Sequence, residues 1–313
     1  MVLPDAWVDR LRIPVVAAPM TGVSGPALVI EACRSGVIGS FPTHNAATLD
    51  ELDRWLGGVA ESLAGVRAAP VAPNLVVHRT NHRLAAEVEC LTRHNVELVI
   101  TSVGSPAQVV APLHEAGSLV FADVASLRHI DRAAEAGVDG LVLLTAGAGG
   151  QTGSANPLAF VRAARQRFDG VLVLAGGISD GASVLAARAL GADLAYMGTK
   201  FIATTESLAR PAYRAALVGA SLDDVAETSV LSGLPANFLR TWLEREAREG
   251  AGDGGFSYRS LSDGRDVWAA GHSVSGVDRI RSVADLVERT DHEYRAAWRQ
   301  LSEEMSERSR AAT

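Results

Sequence analysis

The chain has 313 residues, 48% of them hydrophobic, with 30 glycines, 29 basic against 36 acidic side chains and a formal charge of −7 at neutral pH. That length and apolar content suffice for one large α/β core with an insertion, and the acidic balance lacks the basic footprint of a nucleic-acid-binding surface. Apolar runs break well short of the roughly eighteen residues a membrane helix needs. Cys33 and Cys90 stand without CxxC or histidine spacing and MVLPDAWVDR carries no charged-then-apolar leader, so residence in the reducing cytoplasm is the expectation.

In chain order, apolar runs of strand length alternate with helix-period segments. Strands are predicted at 13–19, 37–41, 69–75, 97–102, 118–123, 140–145, 171–176 and 194–198. Helical patterns lie between them at 26–36, 48–63, 83–94, 106–117, 126–137, 157–168 and 182–191. Strands apolar on both faces, joined by helices that often end at glycine, read as a parallel sheet with right-handed crossovers. Eight such units make a (β/α)8 TIM barrel the economical fold; an open doubly wound sheet is the alternative, but its phosphate loop usually follows the first strand.

After Phe201 the alternation stops. Residues 206–220, 221–228 and 237–249 read as short helices and 250–266 as a Gly/Asp/Ser-rich connection, either a solvated linker or a lid. Residues 277–307 regain helical period and supply a closing helix. The expected organisation is therefore a barrel made of 1–201 plus 277–313, with 202–276 as a helical insertion capping its mouth.

Two glycine-bearing turns are the most informative stretches. AGGISDG at 175–181 and GTKF at 198–201 each end an apolar strand and open a helical pattern. Glycine there lets backbone N–H groups approach a dianion, and the following helix start adds partial positive charge. One such turn is weak; two about twenty residues apart resemble the two-part phosphate cup of a flavin-binding barrel.

In a barrel of this kind chemistry collects at the carboxyl ends of the strands. Those ends carry Ala18, Pro19, Met20 and Thr21 after the first strand, Asn74 after the third, Thr101, Ser102 and Gly104 after the fourth, Asp123 after the fifth, and AGAGGQTG at 146–153 after the sixth. Small and neutral polar residues suit a flat aromatic cofactor better than a metal cage, because no His/Asp/Glu cluster falls on these ends.

PVVAAPMTGVSGPALVIEACRSGVIGSF at 14–41, AGAGGQTG at 146–153, VLAGGISDGASVLAARALGADLAYMGTKF at 173–201, SGLPANFLR at 232–240 and AAGHSVSGV at 269–277 together resemble the nitronate monooxygenase family. The resemblance implies an FMN-dependent barrel oxidoreductase with noncovalent cofactor. It implies that Pro19, Met20 and Thr21 lie along the isoalloxazine, that Asn74 contacts it, that Gly176, Gly177, Gly198 and Thr199 hold the phosphate, and that Asp123 lies nearby. With them, Ala18, Thr101, Ala148, Gly149, Gly150, Gly153 and Ala175 complete the expected cofactor shell. A small, nitronate-like organic molecule is the expected substrate, with oxygen as acceptor and NAD(P)H a further redox partner; the oligomeric state stays open.

One departure bears on mechanism. The family's AGGHxG motif carries a histidine read as a base, whereas Gln151 stands here, and an amide takes no proton near neutrality. Oxidation of an already anionic nitronate needs no such base. His272 stands where the family commonly has glutamine and is read as a replacement base, a ring-edge hydrogen-bonding group or a structural turn; Met20, Gln151 and His272 are the expected substrate-facing residues. The alternatives are an NAD(P)H-dependent enoyl-thioester or quinone reductase, a flavoprotein without turnover, and a barrel using the cup for a substrate phosphate without flavin. His44, in the loop after the second strand, is a mouth residue or a plain loop histidine; His94, His114, His129 and His292 fall on helices, where surface roles are expected. Asp180 is expected to cap a helix and Tyr196 to fill the barrel interior. Lys200 is read either as a phosphate partner or as solvent-facing, and Trp55, Trp242, Trp268 and Trp298 as packing residues.

Overall fold

A computed structural model describes residues 3–229, 233–249, 258 and 266–311. Eight parallel strands close into a barrel: β1 (Val15–Ala17), β2 (Ile38–Pro42), β3 (Val71–Val76), β4 (Leu98–Ser102), β5 (Leu119–Val124), β6 (Gly140–Leu144), β8 (Val171–Ala175) and β9 (Leu194–Met197). β1 closes the ring by pairing with both β2 and β9, Val16 lying opposite Ile38 on one side and Tyr196 on the other. All eight expected strands are present, and the fold is a TIM barrel.

Strand pleating sorts side chains into two cores. Val16, Ile38, Ala72, Ile100, Val142 and Val173 point inward and fill the barrel, while Ala17, Val99, Leu141 and Leu172 face the helix layer. Trp7, on a short helix Asp5–Val8, is buried with the inner set and packs on Phe121, covering the end of the barrel away from the glycine turns. The outer helices start where local chemistry dictates. Thr48, Ser126 and Asn156 accept hydrogen bonds from first-turn amides, Asp180 and Ser183 form a reciprocal capping box, and Gly191 ends its helix at φ +104°. The long helix Val283–Ala311 closes the molecule against Gly181–Leu190, as the periodicity at 277–307 implies.

The segment after β9 differs from a purely helical insertion. Helices Pro211–Val218 and Arg240–Glu249 are present, but 225–228 and 237–239, expected as helix, lie in strands β10 (Val225–Thr228) and β11 (Ala236–Leu239). They pair antiparallel and capture a third short strand, β7 (Gly150–Gln151), from the loop after β6. The reason is burial: Ala236, Phe238 and Leu239 join Trp242, Tyr213 and Val274 in a second apolar core above the barrel, and β11, buried along its whole length, takes its conformation from the partner strands on either side. Of the tryptophans expected to pack, Trp242 is fully buried, Trp268 stacks on Tyr213 at 5.5 Å, and Trp298 is an exception, 58% exposed on the terminal helix. The connection 250–266 lies outside the described residues apart from Tyr258 and Asp266.

Candidate active site

At the carboxyl ends of β8 and β9 the chain makes two glycine turns. Gly176 and Gly177 hold φ of +126° and +72°, which L side chains rarely adopt, and a Cβ on Gly176 would strike Thr145 Oγ1. A Cβ on Gly177 would meet nothing within 4 Å among the described residues, so that side of the turn is open to them. Gly198 precedes the short helix Thr199–Ile202, and Gly271 N donates to Thr199 Oγ1 at 3.0 Å, tying the turn to the cap. The backbone N–H groups of Gly176, Gly177, Gly198 and Thr199 have no hydrogen-bond partner among the described residues. All four residues border one cavity of about 300 Å³.

That cavity collects most of the expected shell. Ala18, Pro19, Met20 and Thr21 line it after β1, Asn74 and Asp123 at the ends of β3 and β5, Ala148, Gly149, Gly150 and Gln151 in the loop after β6, and Ala175 at the end of β8. Pairing of Gln151 with Ala236 fixes the backbone of the AGAGGQ loop, and Asn237 Nδ2 donates to Ala148 O at 2.8 Å. The Met20 turn is braced equally: Asn45 Nδ2 donates to Met20 O at 2.9 Å and to Ser24 O at 2.8 Å. Over the mouth, Val23, Ile202, Tyr213, Phe238, Trp242 and Val267 make an apolar roof. Among the described lining residues there is no lysine or arginine.

Three expected residues lie elsewhere. Thr101 faces the helix layer and donates to Phe121 O at 3.0 Å, because inward positions on β4 are Leu98, Ile100 and Ser102; Ser102 lines the cavity in its place. Gly153 is packed on Leu144 O and Ala125, beyond the cavity wall. His272 is exposed, its ring covering Gly147 from outside, where a Cβ would come within 2.6 Å of Nδ1. It is its neighbour Ser273 that lines the cavity, so His272 is not placed to replace the motif histidine.

The cavity is also lined by His44, read as a mouth or loop residue, Asp123 of the expected cofactor shell, and Tyr196, expected only as barrel filling. His44 is 5% exposed, lines the cavity, and its Nε2 is 2.9 Å from Thr21 Oγ1. Burial, reinforced by the charge of Arg83, lowers its pKa to about 4, so the ring is neutral at physiological pH. Asp123 reaches the cavity with Oδ1 buried and without a partner among the described residues, and desolvation raises its pKa to about 8. Tyr196, placed in the barrel interior as expected, also lines the cavity with its hydroxyl buried and without a partner among the described residues. Its inward register follows from Leu194, two residues earlier and also inward, a period-2 signal readable in the sequence.

The remaining polar groups have structural partners. Lys200 Nζ donates to Gly276 O at 2.6 Å rather than facing the cup or open solvent. His114 pairs with Asp139 and His94 with Asp53 on the helix layer. Asp53, Cys90 and His94 bring their ligand atoms within 4.8 Å of one another, a grouping the sequence reading did not anticipate. Arg93 Nη2 sits 2.9 Å from Asp53 Oδ1, so the group is an ion-pair cluster. No described helix is long and apolar enough to cross a membrane.

The profile of the nitronate monooxygenase family matches residues 8–262. A nitronate monooxygenase of Paraburkholderia phytofirmans is 29% identical over 272 residues, covering 74% of this chain and 74% of that protein. A (3aS,4S,5R,7aS)-5-hydroxy-7a-methyl-1-oxo-octahydro-1H-indene-4-carboxyl-CoA dehydrogenase of Mycobacterium tuberculosis is 30% identical over 251 residues, covering 78% and 68%. Among solved structures, the nitroalkane oxidase of Streptomyces ansochromogenes superposes with TM-score 0.80 at 25% identity over 95% of this chain and all of that one. FabK of Thermotoga maritima shares the fold, with TM-score 0.81 at 24% identity over 95% and 97% of the two chains.

Proposed function

The chain belongs to the nitronate monooxygenase family and is an oxidoreductase, and from that premise we propose that it binds FMN and oxidises a small, nitronate-like organic substrate with oxygen as acceptor. The observation that carries this reading is the convergence of both glycine turns, Gly176–Gly177 and Gly198–Thr199, on one cavity that the Met20 turn, packed beside Gly198, also lines. Unpaired amides suit a phosphate, the small residues Ala18, Ala148, Gly149 and Gly150 in the lining suit close approach of a flat ring, and the orphan Asp123 and Tyr196 oxygens suit a polar ring edge. On this reading residues 1–201 with 277–313 are the flavin-binding barrel and 202–276 its cap. The two unpaired cysteines, both buried, favour a cytoplasmic setting.

Bound FMN supplies the two-electron chemistry. The chain's residues position and desolvate the substrate: the roof of Tyr213, Phe238 and Trp242 excludes water, and Gln151 offers a neutral hydrogen bond at the wall. Gln151 accepts no proton, so the substrate that fits is one that arrives already deprotonated or needs no proton removed at that position.

A second reading has its own support. A cavity with an apolar roof and no cation in its described lining also suits a neutral substrate, as an enoyl-thioester or quinone reductase using NAD(P)H would require. Anaerobic addition of a nitronate, an enoyl thioester or NAD(P)H to the flavin-loaded protein separates the two. Bleaching by the nitronate alone supports the first reading; bleaching by NAD(P)H, with colour restored by the enoyl thioester or quinone, replaces it with the second.

A further inference from the structure

Asp123 and Tyr196 stand out among the buried polar groups. They come from β5 and β9, strands separated in the barrel by β6 and β8, and both point into the inner, carboxyl-end layer of the barrel. Neighbouring polar groups in that layer are already engaged: Asn74 Nδ2 donates to Ile100 O at 3.2 Å, and Ser102 Oγ donates to Asn74 Oδ1 at 3.3 Å. Asp123 Oδ1 and the Tyr196 hydroxyl are buried without any partner among the described residues. Two such groups on one cavity floor call for a ligand, since native interiors leave very few polar atoms unsatisfied.

We propose that Asp123 and Tyr196 form a neutral floor with two hydroxyl donors, the protonated carboxyl and the phenol, that holds the carbonyl and ring-nitrogen edge of a flat heterocycle. On the reading above, on which this inference rests, that heterocycle is the flavin ring. The surroundings explain the protonation. No described cation lines the cavity, His44 is neutral, Tyr213 donates its hydroxyl to Ala269 O, and the remaining titratable group facing Asp123 is Tyr196 itself, whose ionisation is likewise suppressed by burial. A carboxylate there would meet the acceptor edge of the ring with like charge, whereas a carboxylic acid donates to it.

The test is a titration of the flavin-stripped protein with FMN, followed by quenching of flavin fluorescence at several pH values. Because only the protonated acid donates, affinity should hold below pH 7 and fall as pH rises through the folded value of about 8, by roughly tenfold or more at pH 9.5. Asp123→Asn keeps a neutral donor of the same shape and should bind within about threefold of the parent at pH 7 while losing the extra slope above pH 8. Asp123→Leu should weaken binding roughly tenfold at pH 7, and Tyr196→Phe should weaken it by a similar factor. If FMN binds but the parent and Asp123→Asn share one pH profile, or both donor-deleting variants bind like the parent, the floor holds only water and the inference is wrong. If FMN binds to none of these proteins at any pH, the flavin reading itself fails.

Discussion

Gln151 is where residue chemistry restricts the reaction most tightly. It lines the cavity on a backbone pinned by β11, so a side chain placed there is held at the wall. Gln151→His restores a group able to take a proton. We expect it to raise turnover of neutral nitroalkanes by about 10²-fold or more, the usual worth of a positioned base, with nitronate oxidation little changed. Equal activity of parent and variant on neutral nitroalkanes would overturn this account of the position. The two nearby histidines fare differently: His272, the alternative base candidate, is exposed and packs on Gly147, whereas His44 lines the cavity but is held neutral by burial and by Arg83. Motif reading singled out Gln151 and Met20, both of which line the cavity, because they sit in quotable strings. It missed Tyr196 as a wall and chose Thr101 over Ser102 because strings carry no inside or outside; the two-residue alternation of β4 and β9 does.

At the scale of elements, the phosphate cup depends on how the helix after β8 is seated. Gly181 opens that helix directly beneath the terminal helix, and a Cβ there would overlap Tyr294 N and Thr290 O, both backbone atoms with no rotamer in which to retreat. Gly181→Ala should therefore cost about 3 kcal/mol or more of unfolding free energy in a denaturant titration, and should weaken FMN binding by displacing the Gly176–Gly177 turn. Gly177→Ala is the matched control. It meets no atom and pays only for its positive φ, about 1–2 kcal/mol, so a smaller loss is expected there. If Gly181→Ala unfolds at the parent midpoint, the seating argument is wrong. The barrel strands were legible because each is apolar on both faces. The strands β7, β10 and β11 were not, since four-residue and two-residue strands take their conformation from a partner distant in sequence, and the charged LEREARE run beside them reads as helix by itself.

For the whole molecule, the fold places one apolar core inside the barrel, one between strands and helices, and a third in the cap, and the cavity lies where the first and third meet. A ring bound there would touch the Met20 turn, the β6–β7 loop and the roof at once, so ligand binding should couple cap and barrel. The claim on which everything rests is that the free amides of the two glycine turns hold a phosphate. The most direct measurement compares FMN with riboflavin, which is the same ring without that group, by titrating each into the flavin-stripped protein. FMN should bind at one equivalent and at least roughly a hundredfold more tightly than riboflavin, with an excess of inorganic phosphate narrowing the gap. Equal affinity for the two, or no binding of either, would contradict the account.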